Sequence, residues 1–152
     1  MSQDDWNRLI RAAGDAAIEL VEAQGEFLPF AVALNAGGEL SRIELELSDD
    51  HLQPIEQLRG VLHKEAARGR YRGVAVAEDV QILDPESEAL TKAIRVDIEH
   101  RDLEPLSWFL TYRQHRGRYQ FGDANGEGVL QKGEPAIFAD ESEDEEDGDE
   151  VE

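Results

Sequence analysis

The stretch Phe27-Leu28-Pro29-Phe30-Ala31-Val32-Ala33-Leu34 is almost continuously apolar and runs straight into Asn35-Ala36-Gly37-Gly38. It is too short for most helices, and Asn and Gly supply the backbone freedom a tight turn needs, so the segment reads as a strand entering a hairpin. A strand that is apolar on both sides has to be covered on both. By the period of two, Phe30, Val32 and Leu34 share one face, and Phe27, Ala31 and Ala33 the other. Past the turn the pattern changes. From Glu39 to Leu47, the residues Ile43, Leu45 and Leu47 alternate with Arg42, Glu44 and Glu46, which predicts a half-solvated strand near a sheet edge. The first strand thus demands a sheet between two layers, and the second places an edge of that sheet close by.

Working outward, Trp6, Leu9, Ile10, Ala13, Ala17, Leu20 and Val21 recur at helical spacing up to Gly25, with Ser2 and Asp5 arranged as a capping box. A second helix is expected after Ser48-Asp49-Asp50. There Pro54 suits a first turn, and Leu52, Ile55, Leu58, Val61, Leu62 and Ala66 keep the stripe to Gly69. A third strand spans Tyr71 to Ile82 and a fourth holds Ile94, Val96 and Ile98. Asp102 to Pro105 reads as a turn before a fifth strand with Trp108, Leu110 and Tyr112. Arg118 to Gly122 is compatible with a sixth strand or a return loop, and residues 123–138 read mainly as loop, with apolar patches at Val129-Leu130 and Ile137-Phe138. The expectation is one α+β domain over residues 1–138. Its mostly antiparallel five-stranded sheet follows the order helix, strand, strand, helix, strand, strand, strand. The helices lie on opposite faces, or a dimer partner completes one face. This topology is similar to the roadblock, longin and profilin-like modules, which are mostly interaction platforms.

Charge is unevenly placed. The 152 residues carry 35 acidic and 15 basic side chains, a formal charge of -20, and ten of the thirteen residues from Asp140 to Glu152 are Asp or Glu. Residues 139–152 have almost no side chain worth burying, so they are expected to form an acidic disordered tail. Such a tail solubilises, covers a basic patch as a lid or nucleic-acid mimic, or docks on a basic partner. The acidic balance disfavours nucleic acid and anionic membranes as partners. The absence of cysteine excludes disulfides, thiol nucleophiles and cysteine-ligated metals. No apolar run reaches membrane-spanning length, and no leader is visible, which gives a cytoplasmic expectation.

Gly25-Glu26-Phe27-Leu28-Pro29-Phe30, Glu99-His100-Arg101 and the aromatic strand ending Thr111-Tyr112 resemble a group of small bacterial proteins. These begin with a helix and a "GEF-x-PF" strand and end their core with "EH" and "PY" segments. The resemblance spans residues 3–122, with Thr111 standing where the group has proline. It implies a bacterial origin and a shared fold, and brings no activity with it.

Chemistry has few footholds. The histidines at 51, 63, 100 and 115 show no helical metal spacing, and no serine sits in a G-x-S-x-G elbow. No glycine run continues into a phosphate-binding Lys-Ser/Thr. No catalytic residue, metal or cofactor is therefore expected. Strand alternation puts Glu99 with Asp97 and Arg95 and turns His100 to the other face with Ile98 and Val96. Asp97 and Glu99, joined by Glu78 or Asp79 across a strand pair, could gather carboxylates, with Arg95 among them. The concentrated basic residues are Arg68, Arg70 and Arg72, together with Arg113, His115, Arg116 and Arg118. Interleaved Tyr71, Tyr112 and Tyr119 give these the look of a single-strand clamp, and local carboxylates would compete for them. The leading expectation is a non-enzymatic protein-interaction module, able to form a homodimer, with those six arginines as the contact. One alternative is an enzymatic or ligand-binding domain with a pocket at His100, Trp108 and Tyr112, and another is single-stranded nucleic-acid binding.

Overall fold

A computed structural model of the chain describes residues 2–44, 53–83, 88–122, 129–133 and 137. The elements are α1 (Ser2–Gln24), β1 (Phe30–Asn35), β2 (Leu40–Glu44), α2 (Pro54–Ala67), β3 (Tyr71–Leu83), β4 (Leu90–His100), β5 (Leu103–His115), β6 (Arg118–Phe121) and β7 (Val129–Lys132). The class is α+β, as the patterning predicts, and the strands form one antiparallel sheet in the order β2-β1-β3-β4-β5-β6. Tyr112 of β5 pairs with Lys92 on one side and Phe121 on the other. β6 and β7 therefore follow each other along the same flank of β5, against residues 112–115 and 106–109.

Among the described residues the sheet has seven strands, where the sequence predicts five. β6 and β7 are four residues each: β7 is exposed throughout, and β6 alternates exposed Arg118 and Gln120 with half-buried Tyr119 and Phe121 over only two repeats. What makes them strands is the long neighbour β5, whose flank offers unpaired backbone groups. The expected turn at Asp102 to Pro105 is shorter than its residues suggest. It occupies Arg101 and Asp102, and Pro105 lies inside β5. Proline is accepted there because the β4–β5 ladder is irregular between Ile98 and His100 and because the other flank uses its carbonyl, which accepts the Gly133 N–H at 3.0 Å, and not the N–H that proline lacks.

Two cores follow from two covered faces. On one, Leu9, Ala13, Ala17 and Val21 of α1 pack on Phe30, Val32, Leu34, Ala75, Ala77, Ile94, Val96, Ile98 and Leu110. On the other, Leu58, Leu62 and Ala66 of α2 pack on Ala31, Val74 and Val76. The helices thus lie on opposite faces. Phe27 is a correction: it precedes β1, so strand alternation does not govern it, and its ring packs 5.7 Å from Phe30 on the α1 side. The α1 termini divide similarly. Gly25, at φ +86°, ends the helix with its N–H on the Val21 carbonyl at 2.8 Å, but Ser2 is already helical, and Asp5 is buried beneath the helix instead of capping it. The cap expected at Ser48 to Asp50 lies outside the described residues. Gln53 is the N-cap of α2, donating its N–H to Glu56 Oε1 at 3.4 Å.

The buried side chains of α2 pack on β1 and β3. Ile137 extends its core: buried to 2% exposure among Leu58, Leu62, Ala66, Val74 and Val76, it donates its N–H to both carboxylate oxygens of Glu99, at 2.9 and 3.0 Å. Its carbonyl accepts from His63 Nδ1 at 3.0 Å. Side chains, not a ladder, hold both backbone groups of this residue.

Candidate functional site

His100, Trp108 and Tyr112 share the α1 face but do not converge. His100 Nε2 donates to Asp5 Oδ2 at 2.9 Å, and its Nδ1 accepts the Asp102 N–H at 3.0 Å, which places the proton of the neutral ring on Nε2. Arg72 Nη2 holds the second Asp5 oxygen at 2.8 Å and its Nη1 reaches the Ala36 carbonyl at 3.3 Å. The Arg72 hydrogen bond keeps the Asp5 carboxyl below its ordinary range against the opposing effect of burial, and His100 adds to it. This trio ties α1 to β3, β4 and the first hairpin. Tyr112 makes a tie within the sheet, from β5 to β3. Its hydroxyl donates to Asp79 Oδ1 at 2.6 Å, Lys92 sits 3.4 Å from the other Asp79 oxygen, and its ring packs with Tyr119 and Phe121. Burial, and then Asp79, push the Tyr112 phenol far above the usual tyrosine range. Tyr112 is level with Lys92, eight residues along β4 from His100, so the two lie roughly 26 Å apart and no small ligand spans them.

The arginines also separate. Arg68 and Arg70 both pair with Glu65, at 3.3 and 3.0 Å, and Arg72 is committed to Asp5. Arg113, Arg116 and Arg118 are exposed at the β5–β6 hairpin. The register runs Tyr112 to Lys92 to Gln81, nine residues along β3 from Arg72, which puts roughly 30 Å between the two clusters. They occupy opposite ends of the sheet, because β3 and β5 run parallel with β4 between them. Linear clustering of basic residues could not reveal this.

The half of the α2 face that α2 leaves open carries a charged cleft of about 400 Å³. Asp97 is its centre: Oδ2 accepts from Arg59 Nη2 at 3.0 Å, while Oδ1 accepts from Arg95 Nε at 3.0 Å and from Ser107 Oγ at 2.6 Å. Arg95 is stacked 5.6 Å from the Phe109 ring centroid and faces Glu78 across the β3–β4 ladder. Burial raises the Glu78 carboxyl, with Arg59 and Arg95 opposing it. Glu78, Asp97 and Glu99 therefore share a face, as strand alternation predicts, while Asp79 lies on the other with Tyr112. Asp97 answers to two guanidiniums and Glu99 to Ile137. Among the described residues no group of three or more His, Asp or Glu side chains is placed to hold a metal ion. Arg59, on α2, has no signal in the sequence that marks it for this site.

Among the described residues, the end of the sheet beyond β5 is open to solvent at β7. All four residues of β7 are exposed, Val129 at 53% and Leu130 at 48%, and among the described residues no strand pairs with its outer edge. On the α1 side, Trp6, Leu103, Leu106 and Leu130 form a shallow groove of about 580 Å³, rimmed by Asp102 and Glu104. The buried Trp6 indole N–H has no hydrogen-bond partner among the described residues. On the opposite side Val129 pairs with Phe109 at the lip of the charged cleft. Sequence reasoning sees Val129-Leu130 as an apolar patch but cannot see that it closes a groove with a tryptophan near the other end of the chain. Comparison with family models, with curated proteins and with solved structures finds no match to this chain.

Proposed function

We propose that the protein is a non-enzymatic interaction module that engages a partner protein through the β7 side of its sheet. The observation that supports this reading is the exposed outer edge of β7, with Val129 and Leu130 half uncovered on its two sides. An unpaired strand edge offers a row of backbone donors and acceptors to another chain, and natural sheets usually blunt such an edge unless it is used. Two residues of the alternative pocket serve as ties: His100 and Asp5 satisfy each other beneath α1, and Tyr112 is spent on Asp79. The arginines at either end are too far apart to form one contact surface for a nucleic-acid strand, and half of them face local carboxylates.

The test is affinity capture from the native host with the full chain, comparing wild type with Val129→Lys, Leu130→Lys and Leu83→Lys. Leu83 is 63% exposed at the far end of β3 and serves as the control for added charge. A partner retained by wild type and Leu83→Lys and lost with both β7 variants supports the reading. One bound equally by all four chains places the contact elsewhere and defeats it.

A further inference from the structure

We infer that the groove beside β7 is the recognition pocket of a strand-addition site, and that it takes an extended, basic peptide segment with apolar side chains at alternate positions. The inference rests on the reading of β7 as the binding edge. A strand added to β7 would continue the pleat, so every second side chain would fall on the α1 side, beside Leu130, Leu106 and Trp6, and the others on the side of Val129 and Phe109. The groove is apolar at its floor, which asks for an apolar residue there.

The charge of the occupant follows from what surrounds the groove. Asp102 and Glu104 rim it, with Lys132 the cation on that face of β7, and residues 1–139 as a whole carry 25 acidic against 15 basic side chains. A second copy of the chain also carries a formal charge of -20, so long-range repulsion between whole chains opposes the pairing of two copies. A basic segment is attracted by that same field, which speeds encounter and selects among apolar strands that would otherwise be equivalent.

The experiment uses the full chain, isotopically labelled for NMR, and two synthetic nine-residue probes, one alternating leucine with lysine and one alternating leucine with glutamate. The lysine probe is expected to shift the amides of Leu106, Leu130 and Lys132 and the Trp6 indole resonance, and to bind at least about tenfold more tightly than the glutamate probe. Leu130→Lys should weaken it by about tenfold or more, and Glu104→Lys, a rim change that leaves the core untouched, should weaken it while preserving the native spectrum. Shifts confined to residues 140–152 would mean that the acidic segment alone collects the basic probe, and would overturn the inference. Equal binding of both probes, or binding indifferent to Leu130→Lys and Glu104→Lys, would overturn it as well. So would concentration-dependent self-association of the chain that Leu130→Lys abolishes, since the edge would then belong to a second copy. If the probes fail while host capture still depends on Val129 and Leu130, the β7 reading stands and only the basic, alternating partner falls.

Discussion

Replacing Ile137 with alanine tests whether the segment after β7 is locked onto the α2 core. The side chain is 2% exposed and packed among Leu58, Leu62, Ala66, Val74 and Val76. The substitution removes three carbons, worth about 2.4 kcal/mol at about 0.8 kcal/mol each, and the partly unfilled cavity brings the loss to about 3 kcal/mol. The hydrogen bonds of its backbone to Glu99 and His63 are unchanged by the substitution, so this figure isolates the packing contribution. For a domain of this size the melting temperature should fall by about 6–12 °C. Thermal and urea unfolding followed by circular dichroism measure it, with the slope of the urea transition expected to stay constant. Truncation after Ala139 is the control. It removes the acidic block but keeps Ile137, and it should leave Tm nearly unchanged because the lost residues offer almost no side chain to bury. An Ile137→Ala protein melting within a degree or two of wild type would show that Ile137 is not seated between α2 and the sheet. A large loss on truncation after Ala139 would show that the acidic block itself docks.

Phe30→Ala should cost about 3–5 kcal/mol, since the ring is 2% exposed at the centre of the α1 core, and a near-neutral result in equilibrium unfolding would contradict a closed core on that face. Asp5→Asn should flatten the acid limb of the stability curve. The Asp5 carboxyl is held below its ordinary value of 3.8, so its contribution is complete above that pH and is lost as pH falls through the lowered value. Parallel acid limbs for wild type and variant would show that Asp5 is not paired. Tyr112→Phe should destabilise by about 1–2 kcal/mol through the lost Asp79 hydrogen bond, and should remove a phenol that stays neutral well past the usual tyrosine range. Because that pKa is raised, the stabilisation is present below pH 10 and disappears only as pH climbs beyond it, so an ultraviolet titration in which Tyr112 ionises normally would refute the contact.

The first strand was legible from residues 27–34 because burial on both faces leaves an unbroken apolar run that periodicity alone can interpret. The helical stripes of α1 and α2, and the long strands β3, β4 and β5, were legible for the same reason: each carries enough residues for its period to emerge. Even the division of faces on β4 could be read, since Asp97 and Glu99 differ by two positions and His100 by an odd number. Three things were not. β7 displays no period, the alternation of β6 spans only Arg118 to Phe121, and both exist because β5 offers them a flank. The partners of Asp5, His100 and Asp97 lie up to 95 residues away in sequence, so only folding decides that these charges are spent on one another. The basic clusters looked like one patch and the β7 groove looked like nothing, because both depend on sheet register, which sets distance by rungs of the ladder and not by separation along the chain. Local pattern thus determines which segments must be buried, whereas the long-range pairing of strands decides which side chains meet and which edge is left open.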